Sequence, residues 1–428
     1  MLTHLISSSK IKKTFQKSLL VSSIALLAAC GSEDESISNT EFTALTEDSV
    51  PEAFSYEDGI TATYYADEVY GPDERNKFDI FLPDSESPTS LIIFVHGGGF
   101  FAGDKSAAYA SPDDINDVLE DGVAYATINY SLLDVPGFNE ATENDKEGIN
   151  KSLSDVKEAL QYIRHNSDEF NIDPEKIAMY GVSAGAVSSL WLAYSDDMAD
   201  TSLDDTFNAS ESTRIVAAGA IETQGSMDVV RWEEILAPIQ VTLEIASALT
   251  LSLMESVLGL EASDAATSLA LMREETGDIA DYRATLDLPA LIDNEDPAVF
   301  VSNTEVTVDA TVAALTRLSE IQDELPTLMQ EYLQALSEAD TETANTKLSE
   351  ALSMQTEATE LAPSIIGALL HFPTHPQIIL ETAMSVGAEV VANIPELLDE
   401  STASAVNPSG LTVIPFLLGE LESLPVAE

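Results

Sequence analysis

The stretch IAMYGVSAGAVSSLWLAY, residues 177–194, decides how this chain folds. Residues 177–180 form a short apolar run that ends at Gly181, and residues 184–194 carry apolar side chains at helical spacing. Between them lies Gly181-Val182-Ser183-Ala184-Gly185, a G-x-S-x-G sequence set between an expected strand and an expected helix. A sharp turn there would force the serine into a strained backbone conformation, with glycines where strand and helix approach too closely for side chains. The helix start would supply a positive dipole end and the N–H of Ala184 to an oxyanion formed beside the Ser183 hydroxyl. Alone, five small residues at a strand-to-helix turn are weak support for that chemistry.

The next region outward supplies the second half. Residues 91–95 (LIIFV) are a continuous apolar run, as expected of a strand buried on both faces, and they lead into His96-Gly97-Gly98-Gly99-Phe100. Consecutive glycines let the N–H groups of Gly98 and Gly99 converge on a developing negative charge. A phosphate-binding loop would instead need a Lys-Ser or Lys-Thr pair and an immediate helix, and neither follows. His96 lies 87 residues before Ser183, so the two turns occur in the order that an oxyanion hole and its nucleophile require.

Further strands are expected at 78–82, 123–129, 215–221, 297–303 and 388–393, with a helix at 149–166. Alternating strands and helices predict an α/β fold with a mostly parallel central sheet and helices on both faces. Residues 229–284 and 305–370 break the pattern. They are rich in Ala, Leu, Glu and Thr at helical spacing and read as two insertions forming a large helical cap over the C-terminal edge of the sheet. The apolar part of the first insertion, 235–260, is interrupted by Pro238, Glu244 and Glu255, which argues against a membrane span.

The segments FVHGGGFFAGDKS, INYSL, IRHNSDEFNIDPEKIAMYGVSAGA and SSLWLAYSDDMAD together resemble the HGGG-type bacterial carboxylesterases and lipases of the α/β-hydrolase fold, in particular their lipoprotein members. The resemblance is dense over 75–232, patchy at 286–303 and 371–393, and absent from the helical insertions. It implies Ser183 as nucleophile, the N–H groups of Gly98, Gly99 and Ala184 as oxyanion hole, and hydrolysis of a small-molecule ester through an acyl-enzyme without cofactor or metal.

The same pattern places a histidine after the last strand, and none follows residue 393. Of the five histidines, His4 lies in the N-terminal leader, His96 in the glycine loop and His165 at a helix end expected on the opposite edge of the sheet. His371 and His375 remain as candidate bases. His371 fits the family pattern better, whereas His375 precedes Pro376 at a helix start whose dipole would keep imidazole neutral. The plain alternative is that both only cap helices. For the acid, Asp228 beyond the 215–221 strand and Glu305 beyond the 297–303 strand are the candidates, among 75 acidic residues that are mostly surface charge.

Those 75 acidic residues face 18 basic ones, a net charge of −57 over 428 residues, which disfavours nucleic acid and anionic substrates as partners. Four of the lysines, Lys10, Lys12, Lys13 and Lys17, stand in the first 29 residues, before an uncharged stretch too short to span a bilayer. That stretch ends in Leu27-Ala28-Ala29-Cys30-Gly31-Ser32, which resembles the bacterial lipobox. The expected organisation is a lipoprotein signal peptide at 1–29, an acidic tether at 30–55 anchored to the membrane through lipidated Cys30, and the hydrolase domain at 56–428. Gly31 after the cysteine resembles the outer-membrane sorting pattern, with the domain facing periplasm or exterior. Cys30 is the single cysteine, so neither an intramolecular disulfide nor a thiolate metal site is available. The function these features favour is ester hydrolysis on a neutral, partly apolar substrate. The competing reading is a catalytically degenerate hydrolase-fold lipoprotein that binds a hydrophobic ligand or partner through its cap.

Overall fold

Eight strands hydrogen-bond in the order β1-β2-β4-β3-β5-β6-β7-β8, in a computed structural model that describes residues 40–136, 147–204, 206–260, 264–303, 308–394 and 400–424. They are β1 Ala62–Val69, β2 Lys77–Pro83, β3 Thr89–Val95, β4 Ala124–Ile128, β5 Ile172–Val182, β6 Ala217–Ile221, β7 Ala298–Ser302 and β8 Val390–Asn393. From β4 to β8 all neighbours run parallel, while β1 and β2 form an antiparallel edge. β3 sits centrally, and Leu91 through Val95 are buried on both faces, as its unbroken apolar run requires. β1 carried no clear strand signal. Most of its residues are half-exposed edge positions, and a register irregularity between Tyr65 and Glu68, with Asp67 at φ 54°, breaks its alternation.

The helices used below are α1 Pro112–Glu120, α2 Asn150–His165, α3 Ala184–Tyr194, α4 Leu243–Val257, α5 Ala265–Met272, α6 Asp278–Thr285, α7 Val308–Ser337, α8 Thr341–Leu370, α9 Thr374–Val386 and α10 Val413–Ser423. Alternate sheet residues such as Ile92, Phe94, Tyr125, Tyr180 and Phe300 pack with α1 and α10 in one apolar cluster. α3, every residue of which is buried, packs on β5, β6 and β3 and against α2. A parallel sheet demands such cover, because its strands are apolar on both sides.

The chain divides into two units. One comprises residues 39–306 and 370–428 and contains the whole sheet; α4, α5 and α6 follow β6 inside it, where the first helical insertion was expected. The other contains residues 307–369, and its described part is a pair of long helices, α7 and α8. Arg317 of α7 grips Glu357 of α8 through two bonds of 2.7 and 2.8 Å, and Lys347 meets Glu331 at 3.0 Å. Ala339, at φ 59°, turns the chain between them. Among the described residues, no helix is long and apolar enough to cross a membrane. The leader, Cys30 and residues 31–39 of the proposed tether lie outside the described residues, whereas Phe54, near the tether's end, is buried in the apolar cluster against Phe81.

Candidate active site

Ser183 occupies the turn between β5 and α3 with φ 54° and ψ −116°, a conformation that a non-glycine residue adopts only when its surroundings impose it. They do so here. A Cβ on Gly185 would lie 2.0 Å from the Val95 carbonyl oxygen, so only glycine lets the start of α3 sit this close to the end of β3. The Ser183 N–H is held by the Ile221 carbonyl at 2.8 Å, which ties the turn to β6 as well.

The glycine loop arrives at the same place because β3 and β5 are parallel neighbours with Val95 opposite Gly181. Both strands therefore end together, and the loops beyond them share one edge of the sheet. A Cβ on Gly97 would stand 2.7 Å from the Val182 carbonyl oxygen and 3.3 Å from the Ser183 Cβ, so the two turns lie in contact. Gly98 and Gly99 follow at φ 117° and 63°, and Gly99 and Ser183 line one pocket. The Ala184 N–H opens α3, where helix geometry leaves it without an intrahelical acceptor.

The loop is braced from behind. The Arg75 guanidinium donates to the carbonyls of Gly103 and Tyr130, each at 2.9 Å, and the Tyr130 hydroxyl donates to the His96 carbonyl at 2.9 Å. The His96 ring is buried and stacks on Tyr130 at 4.3 Å between centroids. Burial pulls its pKa down to about 4, so at neutral pH it is an uncharged brace.

Of the two late histidines, only His371 meets the serine: its Nε2 stands 3.2 Å from the Ser183 Oγ. Its peptide is fixed from two strand ends. Asn303, after β7, donates to the His371 carbonyl at 2.7 Å, and Gln224, after β6, donates to the Leu370 carbonyl at 3.0 Å. On the far side of the ring, Nδ1 lies 4.0 Å from a carboxylate oxygen of Glu222, within ion-pair range though longer than a hydrogen bond. Burial lowers the His371 pKa from its ordinary value, and the negative charge of Glu222 opposes part of that fall.

The remaining candidates are placed elsewhere. His375 is fully buried, and its Nδ1 accepts the Gly225 N–H at 3.0 Å, pinning α9 to the chain after β6. The structure commits Asp228 to Arg283, whose Nε and Nη2 reach its two carboxylate oxygens at 2.7 and 3.2 Å. Asp228 therefore gives way to Glu222, six residues earlier, as the carboxylate beside the imidazole. Glu305 lies outside the described residues. Glu222 had one signal in the sequence, its place directly after the β6 strand, and it adopts φ 55° there. Among the described residues, no group of three or more His, Cys, Asp or Glu side chains is placed to hold a metal ion.

Residues 78–264 match the BD-FAE family. Curated relatives include the juvenile hormone esterase of Tribolium castaneum, 32% identical over 122 residues, covering 28% of this chain and 20% of that protein. The para-nitrobenzyl esterase of Bacillus subtilis is 30% identical over 116 residues, covering 26% of this chain and 22% of that protein. The chain has a carboxylesterase-like α/β-hydrolase fold. It spans about a fifth of the length of these curated relatives. Similar solved structures include a truncated carbohydrate esterase from gut microbiota (14% identity, TM-score 0.46, covering 86% of this chain and 99% of that one). Another is esterase B from Lactobacillus Rhamnosis (11% identity, TM-score 0.44, covering 81% and 76%). In this α/β-hydrolase fold, the serine turn, the glycine loop and His371 all sit where the parallel strands end or just beyond them.

Proposed function

We propose that the chain is a serine-dependent carboxylic-ester hydrolase, anchored through Cys30 in a bacterial cell envelope and acting outside the cytoplasm. The observation that carries the catalytic reading is the 3.2 Å approach of His371 Nε2 to the hydroxyl of a serine held in a strained turn against a triple-glycine loop. A pure binding protein gains nothing from maintaining that strain. The missing histidine after the last strand was the motive for a degenerate reading, and His371 supplies the imidazole from before β8 instead.

In the proposed cycle the Ser183 oxygen bonds to the ester carbonyl carbon while its proton passes to His371 Nε2. The carbonyl π pair moves to oxygen, and the N–H groups of Gly98, Gly99 and Ala184 receive that oxyanion. Glu222 steadies the imidazolium. As the oxyanion re-forms the carbonyl, the C–O bond to the alcohol breaks and the imidazolium returns the proton to the departing oxygen. Water, deprotonated by the same imidazole, then attacks the acyl-serine and regenerates the hydroxyl, releasing the acid. The acidic surface supports a neutral ester as substrate.

The test is hydrolysis of p-nitrophenyl acetate by the full chain. Ser183→Ala and His371→Ala are each expected to lower kcat by at least about a thousandfold, and the double variant by no more than the worse single one, as groups acting as a unit behave. Full activity in either variant rejects the mechanism. For the anchor, Cys30→Ser is expected to move the protein from the membrane fraction to the soluble fraction; an unchanged distribution rejects it.

A further inference from the structure

His371 reaches Ser183 from before β8, as the first residue after the 30-residue helix α8, and α9 begins at Thr374. The last carbonyls of a helix have no N–H of their own helix to accept. Here two of them are taken by side-chain amides that follow sheet strands. Gln224 donates to the Leu370 carbonyl at 3.0 Å, and Asn303 donates to the His371 carbonyl at 2.7 Å. Both amides are buried.

Asn303 is itself fixed. It follows β7 directly, and its backbone N–H donates to the carbonyl of Asn393, the last residue of β8, at 3.2 Å. Among the described residues its side chain makes no other hydrogen bond, and its Oδ1 meets no partner. The amide is committed to His371. On the other side of the segment, the Gly225 N–H donates to His375 Nδ1, and a Cβ on Gly225 would lie 2.5 Å from the His375 carbonyl oxygen. The chain after β6 therefore lies flush on the start of α9, and residues 370–375 are held from both sides.

The carboxylate explains why such holding matters. An acid that orients a catalytic imidazole does so through a hydrogen bond to Nδ1. In this site Nδ1 stands 4.0 Å from a Glu222 oxygen, beyond hydrogen-bond range. Attraction between charges at that distance stabilises the imidazolium but sets no direction, because Coulomb energy varies only slowly with position. The aim of the ring at Ser183 is then left to its packing and to the hold on its peptide.

We infer, on the ester-hydrolase reading above, that Asn303 is a positioning residue for the reaction. By gripping the His371 peptide it sets the approach of the imidazole to the Ser183 hydroxyl, the task that a hydrogen-bonded carboxylate would otherwise perform. Misplacing a reacting group by about 1 Å can cost about a hundredfold in rate. Gln224 holds the neighbouring peptide, but it also lines the pocket beside Ser183, so its variants would mix positioning with substrate contact.

The experiment measures kcat and KM of the full chain on p-nitrophenyl acetate for Asn303→Ala and Asn303→Asp, each alone and combined with His371→Ala. At about pH 8 the aspartate is ionised, so it keeps the side-chain shape and loses the donor. It serves if Asn303→Ala fails to fold, as judged by circular dichroism. Each single variant is expected to lower kcat at least about tenfold with KM changed less than about twofold, since the imidazole serves acylation and deacylation alike and both slow together. In the His371→Ala background neither substitution is expected to lower the residual kcat more than about twofold, because an absent ring cannot be misplaced. A loss of equal size in both backgrounds overturns the inference and leaves Asn303 a helix cap that only supports the fold. So does a folded single variant whose kcat stays within about twofold of the parent. Turnover unaffected by His371→Ala overturns the underlying reading instead.

Discussion

At the residue scale, Ser183, His371 and Glu222 come from three separate parts of the chain, and they differ in how much of their proposed role was legible in the sequence. Ser183 was legible because its chemistry depends on neighbours two positions away: the flanking glycines, the strand before and the helix after. The choice between His371 and His375 was not, since they are four residues apart and only the fold decides that one ring turns to Ser183 and the other to the Gly225 N–H. Glu222 was hidden among 75 acids, and its relation to His371 is a contact across 149 positions that no local pattern encodes. Burial depresses the His371 pKa and Glu222 raises it, so their balance sets the acid limb of the pH–rate profile. In the proposed mechanism, activity requires the neutral ring and is expected to be lost as pH falls through that pKa. Replacing the negative neighbour by the neutral Glu222→Gln removes the raising influence, so the limb is expected to move to lower pH while kcat falls, by about a hundredfold, because the imidazolium loses its partner. A merely structural Glu222 would leave the limb where it is.

At the element scale, the site exists because β3 and β5 are parallel neighbours in a register that ends both at one edge. The central strands could be read directly: runs such as LIIFV are apolar at every position because both faces are covered. The edge strand β1 could not, as half-exposed positions and a register irregularity erase the alternation that would mark it. The contact of α3 with the end of β3 is the joint on which serine and glycine loop depend. Gly185→Ala would drive a methyl group to 2.0 Å from the Val95 carbonyl oxygen, a distance that requires backbone displacement. The expected result is a loss on the order of 3 kcal/mol of stability by urea unfolding, together with most of the proposed esterase activity. An unchanged unfolding midpoint would show that the joint is looser than these distances require.

At the scale of the whole molecule, composition restricted the partners more than the fold. A net charge of −57 repels polyanions and says nothing about which strands pair. The two insertions were legible as helical, since their apolar spacing repeats at helical period, but a helix stripe does not name what it faces. Only the coordinates show that Leu253, Met254 and Val257 of the first insertion stand over the serine. The account's central claim is that one serine hydroxyl, one imidazole and the amides of two loops converge on a single carbonyl. A crystal structure of the full chain after reaction with a fluorophosphonate tests this most directly. The account predicts phosphorus bonded to the Ser183 oxygen, with one phosphoryl oxygen about 2.7–3.1 Å from the Gly98, Gly99 and Ala184 nitrogens. A label on another residue, or a phosphoryl oxygen directed away from those amides, would contradict it.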